Sequence, residues 1–213
     1  MTTPADSPRL INGPNDAAAT VLLAHGAGAP MDSPFMAAMA EGLAARGWRM
    51  VRFEFPYMAR RRITGKTSAP DRMPVLQECF RAQVELERGN GPLVIGGKSM
   101  GGRIASVLAD ALAVQGCLCL GYPFHPPGKP EQLRTEHLAA LTTPTLILQG
   151  ERDTFGRLGE VEAYPLSAQV QVQWLPAGDH SFKPTRSSGL TEAGNWQSAI
   201  DKADQFLRTL LAP

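Results

Sequence analysis

Four short, nearly continuous apolar runs constrain this chain more than any other feature: TVLLAH at residues 20–25, LVI at 93–95, GCLCLG at 116–121 and PTLILQG at 144–150. A strand with one wet face alternates apolar and polar residues, so runs of this kind belong to strands covered on both faces. Segments with helical periodicity separate them, and strands alternating with helices call for a mainly parallel sheet with helices packed on each side. The expectation is therefore an α/β, doubly wound, mostly parallel sheet of about six to seven strands, whose ligands bind at the carboxyl ends of the strands.

The remaining segments fit that plan. Residues 9–11 are the candidate for a short edge strand, and 48–55 read as a strand that alternates in its second half. Ser33 and Pro34 open a crossover helix with Phe35, Met36, Met39, Ala40 and Leu43 on one face, stopped by Gly47. A second helix is expected from Asp71, with Met73, Leu76, Phe80 and Val84 inward. The helix after residue 99 is nearly all apolar, through Ile104, Ala105, Val107, Leu108, Ala111 and Leu112, and belongs under the middle of the sheet. An amphipathic helix is read over 131–141 and a short one over 155–163. Residues 168–175 alternate as a half-exposed edge strand would, and Thr191 caps a final helix with Trp196, Ala199, Ile200, Ala203, Phe206 and Leu207 inward. The basic cluster Arg60, Arg61 and Arg62 is read as loop.

At 213 residues the chain is long enough for one substantial core and short for two, and no low-complexity linker divides it, so residues 1–213 are read as a single domain. A formal net charge of +1 offers no general attraction to nucleic acid or anionic lipid. The N-terminal residues 1–8 lack a basic start followed by an apolar core, and no run approaches a membrane span, so the expected location is the cytoplasm. Cys79, Cys117 and Cys119 are read as buried thiols, consistent with that compartment. No set of His, Cys and carboxylates has metal-ligand spacing, and no metal or cofactor is expected. Oligomeric state is not encoded in any pattern found.

The chemistry concentrates in GGKSMGGR, residues 96–103, which reads as strand, sharp turn, helix. Glycines two positions to either side of Ser99 relieve crowding around a turn that holds a serine at its tip. Ser99 is then a candidate nucleophile, and the Met100 N–H at the helix start points toward developing negative charge. The glycine-rich turn after His25 is the candidate source of a second backbone donor, from Gly26 or Ala27. Asp153 follows a strand end and His180 a later loop, giving the chain order nucleophile, acid, histidine. Asp153 is preferred to Asp179 as the acid, because Asp179 adjoins His180 and cannot easily turn its carboxylate onto its neighbour's Nδ1. His25, Tyr57, Lys98, Tyr122, Phe124 and His125 are candidate pocket residues, and Arg60–Arg62 with Lys98 are candidates for attracting an anionic group. His137 is read as surface or packing.

With these residues in place, the chain resembles the α/β-hydrolase superfamily over essentially its whole length. GKSMGGR at 97–103, with Tyr122-Pro123 and HPPG at 125–128, is most similar to a small, capless testis-expressed/KANSL-like branch near the dienelactone hydrolases. The resemblance implies a mechanism and no named reaction, because that branch is largely without assigned substrates. Ser99 stands where a dienelactone hydrolase usually has cysteine. The expected activity is a serine hydrolase, acting on a small ester, thioester or related acyl substrate through an acyl-enzyme on Ser99. The alternative is a hydrolase-fold interaction protein without turnover, a role known in a related branch; the presence of Ser99, Asp153 and His180 argues against it. The short segment between Gly121 and Pro144 leaves no room for a large lid, so an open mouth and short acyl groups are expected.

Overall fold

The strands fall at Arg9–Asn12 (β1), Thr20–Ala24 (β2), Arg49–Phe53 (β3), Leu93–Lys98 (β4), Gly116–Leu120 (β5), Thr145–Gly150 (β6) and Val170–Leu175 (β7) in this computed structural model, which describes residues 7–212. Residues 1–6, part of the N-terminal stretch read above for a leader, lie outside the described residues. The helices are Pro34–Ala44 (α1), Pro56–Thr64 (α2), Met73–Glu87 (α3), Met100–Leu112 (α4), Glu136–Ala140 (α5), Leu158–Val161 (α6) and Glu192–Leu210 (α7). One seven-stranded sheet has the order β1-β3-β2-β4-β5-β6-β7, with β1 antiparallel to β3 and every other pair parallel. The α/β reading of the apolar runs holds: β2, β4, β5 and β6 are buried throughout.

Because successive side chains on a strand point to opposite faces, each run feeds two cores. Leu22, Val51, Ile95, Cys117 and Ile147 pack with Phe80 of α3, Ile104 and Leu108 of α4, and Leu138 of α5. Leu23, Met50, Val94, Leu118 and Leu146 pack with Met36 and Met39 of α1 and with Ala203 and Leu207 of α7. Each fully buried leucine or phenylalanine contributes about 1.5–3 kcal/mol relative to exposure, so both layers are needed. Cys117 and Cys119 lie on one face with their sulfurs 3.8 Å apart, and all three cysteines are buried thiols outside any disulfide, as read from the sequence. Thr191 caps α7, its hydroxyl accepting from the Gly194 N–H at 3.0 Å. Among the described residues no helix is long and apolar enough to cross a membrane.

Three local readings are corrected. Arg60–Arg62 lie in helix α2, started by Pro56 and ended by Gly65 in the left-handed region at φ 69°, a proline-first, glycine-last signature present in the sequence. The 131–141 helix shrinks to Glu136–Ala140, because the Arg134 N–H is drawn to the Phe124 carbonyl (2.8 Å) and cannot join a helical ladder. Helix α3 begins at Met73, and Asp71 bonds Arg60 instead of capping it.

Candidate active site

Ser99 is the hinge between β4 and α4, with φ 51° and ψ −114°. That conformation costs a residue with a Cβ on the order of 1–3 kcal/mol and persists only where neighbours enforce it. Here they do: the Ser99 N–H donates to the Leu120 carbonyl (3.0 Å), anchoring the turn to β5. A Cβ on Gly97 would lie 2.2 Å from the Ala24 carbonyl oxygen, and one on Gly101 would lie 2.4 Å from the same oxygen. The flanking glycines therefore let the turn press against the end of β2, which sets Ser99 beside the loop after His25. The Ser99 hydroxyl has no hydrogen bond among the described residues and opens into a 470 Å³ cavity shared with His180, Ala27, Lys98 and Phe155.

That loop is held by its carbonyls. His25 is buried; its Nε2 accepts from the Phe55 N–H (3.1 Å), so its Nδ1 carries the proton and donates to the Gly26 carbonyl (2.7 Å). Burial pushes the His25 imidazole below its ordinary pKa, which keeps it neutral. The Tyr57 hydroxyl donates to the Ala27 carbonyl at 2.9 Å and reaches the Gly26 carbonyl at 3.2 Å. In a trans peptide the C=O and the following N–H point oppositely, so with the Gly26 carbonyl turned toward His25 and Tyr57 the Ala27 N–H faces away from both. Met100 is the first residue of α4, and its N–H has no intrahelical acceptor.

His180 comes from the loop after β7. Gly121 and Gly150, at the ends of β5 and β6, make room for that loop: a Cβ on Gly121 would meet the His180 carbonyl oxygen at 2.7 Å, and one on Gly150 the Asp179 carbonyl oxygen at 2.2 Å. Asp153 is fully buried and places Oδ2 2.7 Å from His180 Nδ1. The same oxygen accepts from Gln149 Nε2 (2.8 Å), and Oδ1 accepts from the Phe155 N–H (2.9 Å). The His180 ring lies against Phe155 with centroids 4.4 Å apart, and its backbone carbonyl accepts from Lys98 Nζ at 2.5 Å. Asp179 does something else: its Oδ1 accepts from the Ser181 and Lys183 N–H groups, shaping the loop. Burial pushes the His180 pKa below its ordinary value; the Asp153 hydrogen bond opposes that shift and the nearby Lys98 charge adds to it. Burial also lowers Lys98, to about 8, against Asp153 and Asp179, which raise it.

Of the six pocket residues expected from sequence, Lys98 alone lines this cavity. His25 and Tyr57 are buried behind the loop they hold. Tyr122 is buried with its hydroxyl on the Arg134 carbonyl (2.9 Å), Phe124 packs edge-to-face with Tyr122, and His125 is buried between the Pro126 carbonyl and Glu160. The segment after β5 folds inward rather than forming a wall. Phe35, Met36, Phe155 and Trp196 form the apolar wall instead. Phe35 and Met36 were legible only as an inward helix face, and Trp196 as a core position of α7. Trp196 Nε1 in fact donates to the Ser181 carbonyl (3.0 Å), while Asn195 Nδ2 donates to the Phe182 carbonyl (2.7 Å), so the first turn of α7 clamps the His180 loop. Two members of the basic cluster are matched to carboxylates, Arg60 by Asp71 and Arg62 by Asp32 and Glu54, while Arg61 reaches the Gly28 carbonyl at 3.4 Å. His137 packs its Nε2 2.9 Å from Ser106 Oγ.

Comparison with known proteins agrees with this architecture. The solved structures similar to the chain include an α/β serine hydrolase homologue from Coxiella burnetii, with TM-score 0.72 and 19% identity over 93% of this chain and 90% of that one. A lidless α/β serine hydrolase from Xanthomonas campestris aligns with TM-score 0.70 and 20% identity over 96% and 89% of the two chains. A dienelactone hydrolase from Anabaena variabilis gives TM-score 0.69 and 19% identity over 94% and 90%. At these identities the likeness is one of fold, and like the Xanthomonas protein this chain has no large cap. A family model described as an alpha/beta hydrolase domain matches residues 17–208. With nine-tenths of its length matched and its sheet, elbow and strand order in agreement, the chain belongs to the α/β-hydrolase superfamily.

Proposed function

We propose that the protein is a serine hydrolase that cleaves a small acyl ester or thioester through an acyl-enzyme on Ser99. The observation that carries this reading is His180, 2.7 Å from the buried Asp153, opening on the same cavity as a serine held at positive φ. In the mechanism, His180 Nε2 takes the Ser99 hydroxyl proton as the oxygen attacks the substrate carbonyl carbon. Asp153 keeps the other proton on Nδ1 and balances the imidazolium charge. The Met100 and Ala27 N–H groups stabilise the developing oxyanion. His180 then delivers its proton to the departing alcohol or thiol, and water repeats the sequence to release the acid.

The contact between Ser99 and His180 forms in the substrate complex, as catalytic hydrogen bonds commonly tighten there. The lowered pKa of His180 supports its role as a base that is free at neutral pH. Fold neighbours described as serine hydrolases support the same reaction class. Labelling with a fluorophosphonate probe tests the reading. Wild-type protein should be labelled and Ser99→Ala should not; a well-folded wild-type protein that stays unlabelled refutes it and favours an interaction protein on a hydrolase fold.

A further inference from the structure

A second cavity, of 310 Å³, meets Ser99 from the other side. Its lining shares Ala27, Ser99 and Phe155 with the apolar cavity and includes Met100, Asp71, Arg103 and Arg134. Arg103 sits on α4 one turn beyond Ser99, and helical side chains lean toward the helix N-terminus, which aims this guanidinium back toward the elbow. Arg134 is fixed at both backbone ends, by the Phe124 carbonyl and the Tyr122 hydroxyl.

Among the described residues neither guanidinium forms an ion pair or a side-chain hydrogen bond, and Arg103 Nε is buried without an acceptor. Arg60 and Arg62, by contrast, are matched to carboxylates. Arg134 holds its proton less firmly than usual, because of burial first and the neighbouring Arg103 charge second. Two cations facing one cavity repel each other, and an anion between them would relieve the repulsion. Planar guanidinium forks match a carboxylate. Asp71, although paired with Arg60, lines the same cavity, and its carboxylate opposes the second charge of a dianionic phosphate.

We propose that this second cavity is a carboxylate subsite, in which Arg103 and Arg134 hold a carboxylate carried by the substrate on the side of the scissile bond away from the apolar cavity. The proposal rests on Ser99 being the nucleophile and names the substrate's charge, relocating it from the Arg60–Arg62 cluster. Calorimetric titration of the full-length Ser99→Ala protein with benzoate, benzamide and phenyl phosphate tests the subsite without needing turnover. Benzoate should bind about tenfold or more tighter than its neutral isostere benzamide, and Arg103→Gln or Arg134→Gln should each abolish that difference. Arg134→Lys, which keeps the charge, should retain part of it, so loss of folding in one variant does not decide the matter. Equal binding of benzoate and benzamide, a preference that survives both Gln variants, or tighter binding of phenyl phosphate overturns the proposal. In wild-type protein, benzoate should also slow fluorophosphonate labelling in a manner that Arg103→Gln abolishes; labelling that benzoate does not slow overturns the proposal. Benzoate binding in a wild-type protein that no fluorophosphonate labels would refute the serine-hydrolase reading instead.

Discussion

Replacing Asp153 by asparagine tests the assignment of the acid, and the surrounding hydrogen bonds say how it should fail. The new amide nitrogen must stand in for one carboxylate oxygen. At the Oδ2 position it meets the His180 Nδ1–H and Gln149 Nε2; at the Oδ1 position it meets the Phe155 N–H. Either orientation sets donor against donor and leaves a buried group short of a partner, at a cost of about 1–3 kcal/mol. The first orientation is cheaper. Gln149 Nε2 keeps two further acceptors, the Tyr122 and Gly156 carbonyls, whereas among the described residues the Phe155 N–H has no other. His180 can meet an amide at Oδ2 only by moving its proton to Nε2, and that tautomer cannot accept the Ser99 proton. The expected loss in kcat is about 10⁴-fold, equivalent to about 5 kcal/mol of barrier, while stability drops by only the smaller hydrogen-bond cost. Asp179→Asn should behave differently: a carbonyl oxygen at Oδ1 still accepts both loop N–H groups, so activity stays within about tenfold of wild type. Initial rates on p-nitrophenyl acetate and urea midpoints for both variants separate catalysis from folding. An Asp153→Asn protein within tenfold of wild type beside a folded but inactive Asp179→Asn protein would refute the reasoning.

Three other outcomes follow from the site. Tyr57→Phe removes a hydroxyl that holds the Gly26 and Ala27 carbonyls and with them the orientation of the Ala27 N–H, and kcat should fall roughly 10- to 100-fold with KM nearly unchanged, since that N–H acts on the oxyanion; a purely raised KM would show that Tyr57 acts on substrate binding instead. Because burial holds His180 below its ordinary pKa and the base must be neutral, kcat/KM should rise with pH through a midpoint below 6.5; Lys98, charged below its value of about 8, helps hold that midpoint down, so Lys98→Met should move it upward, and an unmoved midpoint would sink the coupling. With no large cap over the 470 Å³ cavity, kcat/KM on p-nitrophenyl esters should peak at short acyl chains, because each methylene left in water forgoes about 0.8 kcal/mol; a steady rise toward palmitate would require a deep acyl tunnel.

Much of the fold was legible from residue patterns because the relevant physics is local or periodic. A continuous apolar run such as 20–25 can be satisfied only with both strand faces covered, and the glycines around Ser99 mark a turn whose tightness no other residue tolerates. Asp153 and Asp179 could be ranked because one adjoins His180 in the chain and the other arrives from a different strand end. What linear order could not show is which way side chains face once a loop folds over. Tyr57, Tyr122, Phe124 and His125 have the composition of a pocket wall, yet each is buried, because loop backbone carried inside needs hydrogen-bond partners and these aromatic and imidazole groups pack beside it or supply them. The charge of Arg60–Arg62 was plain in the sequence, but the pairing of Arg60 with Asp71 and of Arg62 with Asp32 and Glu54 depends on contacts between residues up to 30 apart in the chain. Arg103 and Arg134 are the reverse case, unremarkable in sequence and left facing a cavity beside Ser99 by the packing of α4 against the segment before α5. Sequence by itself determined the sheet, the elbow and the order of the reactive groups; only the tertiary structure decided which charges remain unmatched, since ion pairing depends on distances that chain connectivity does not set.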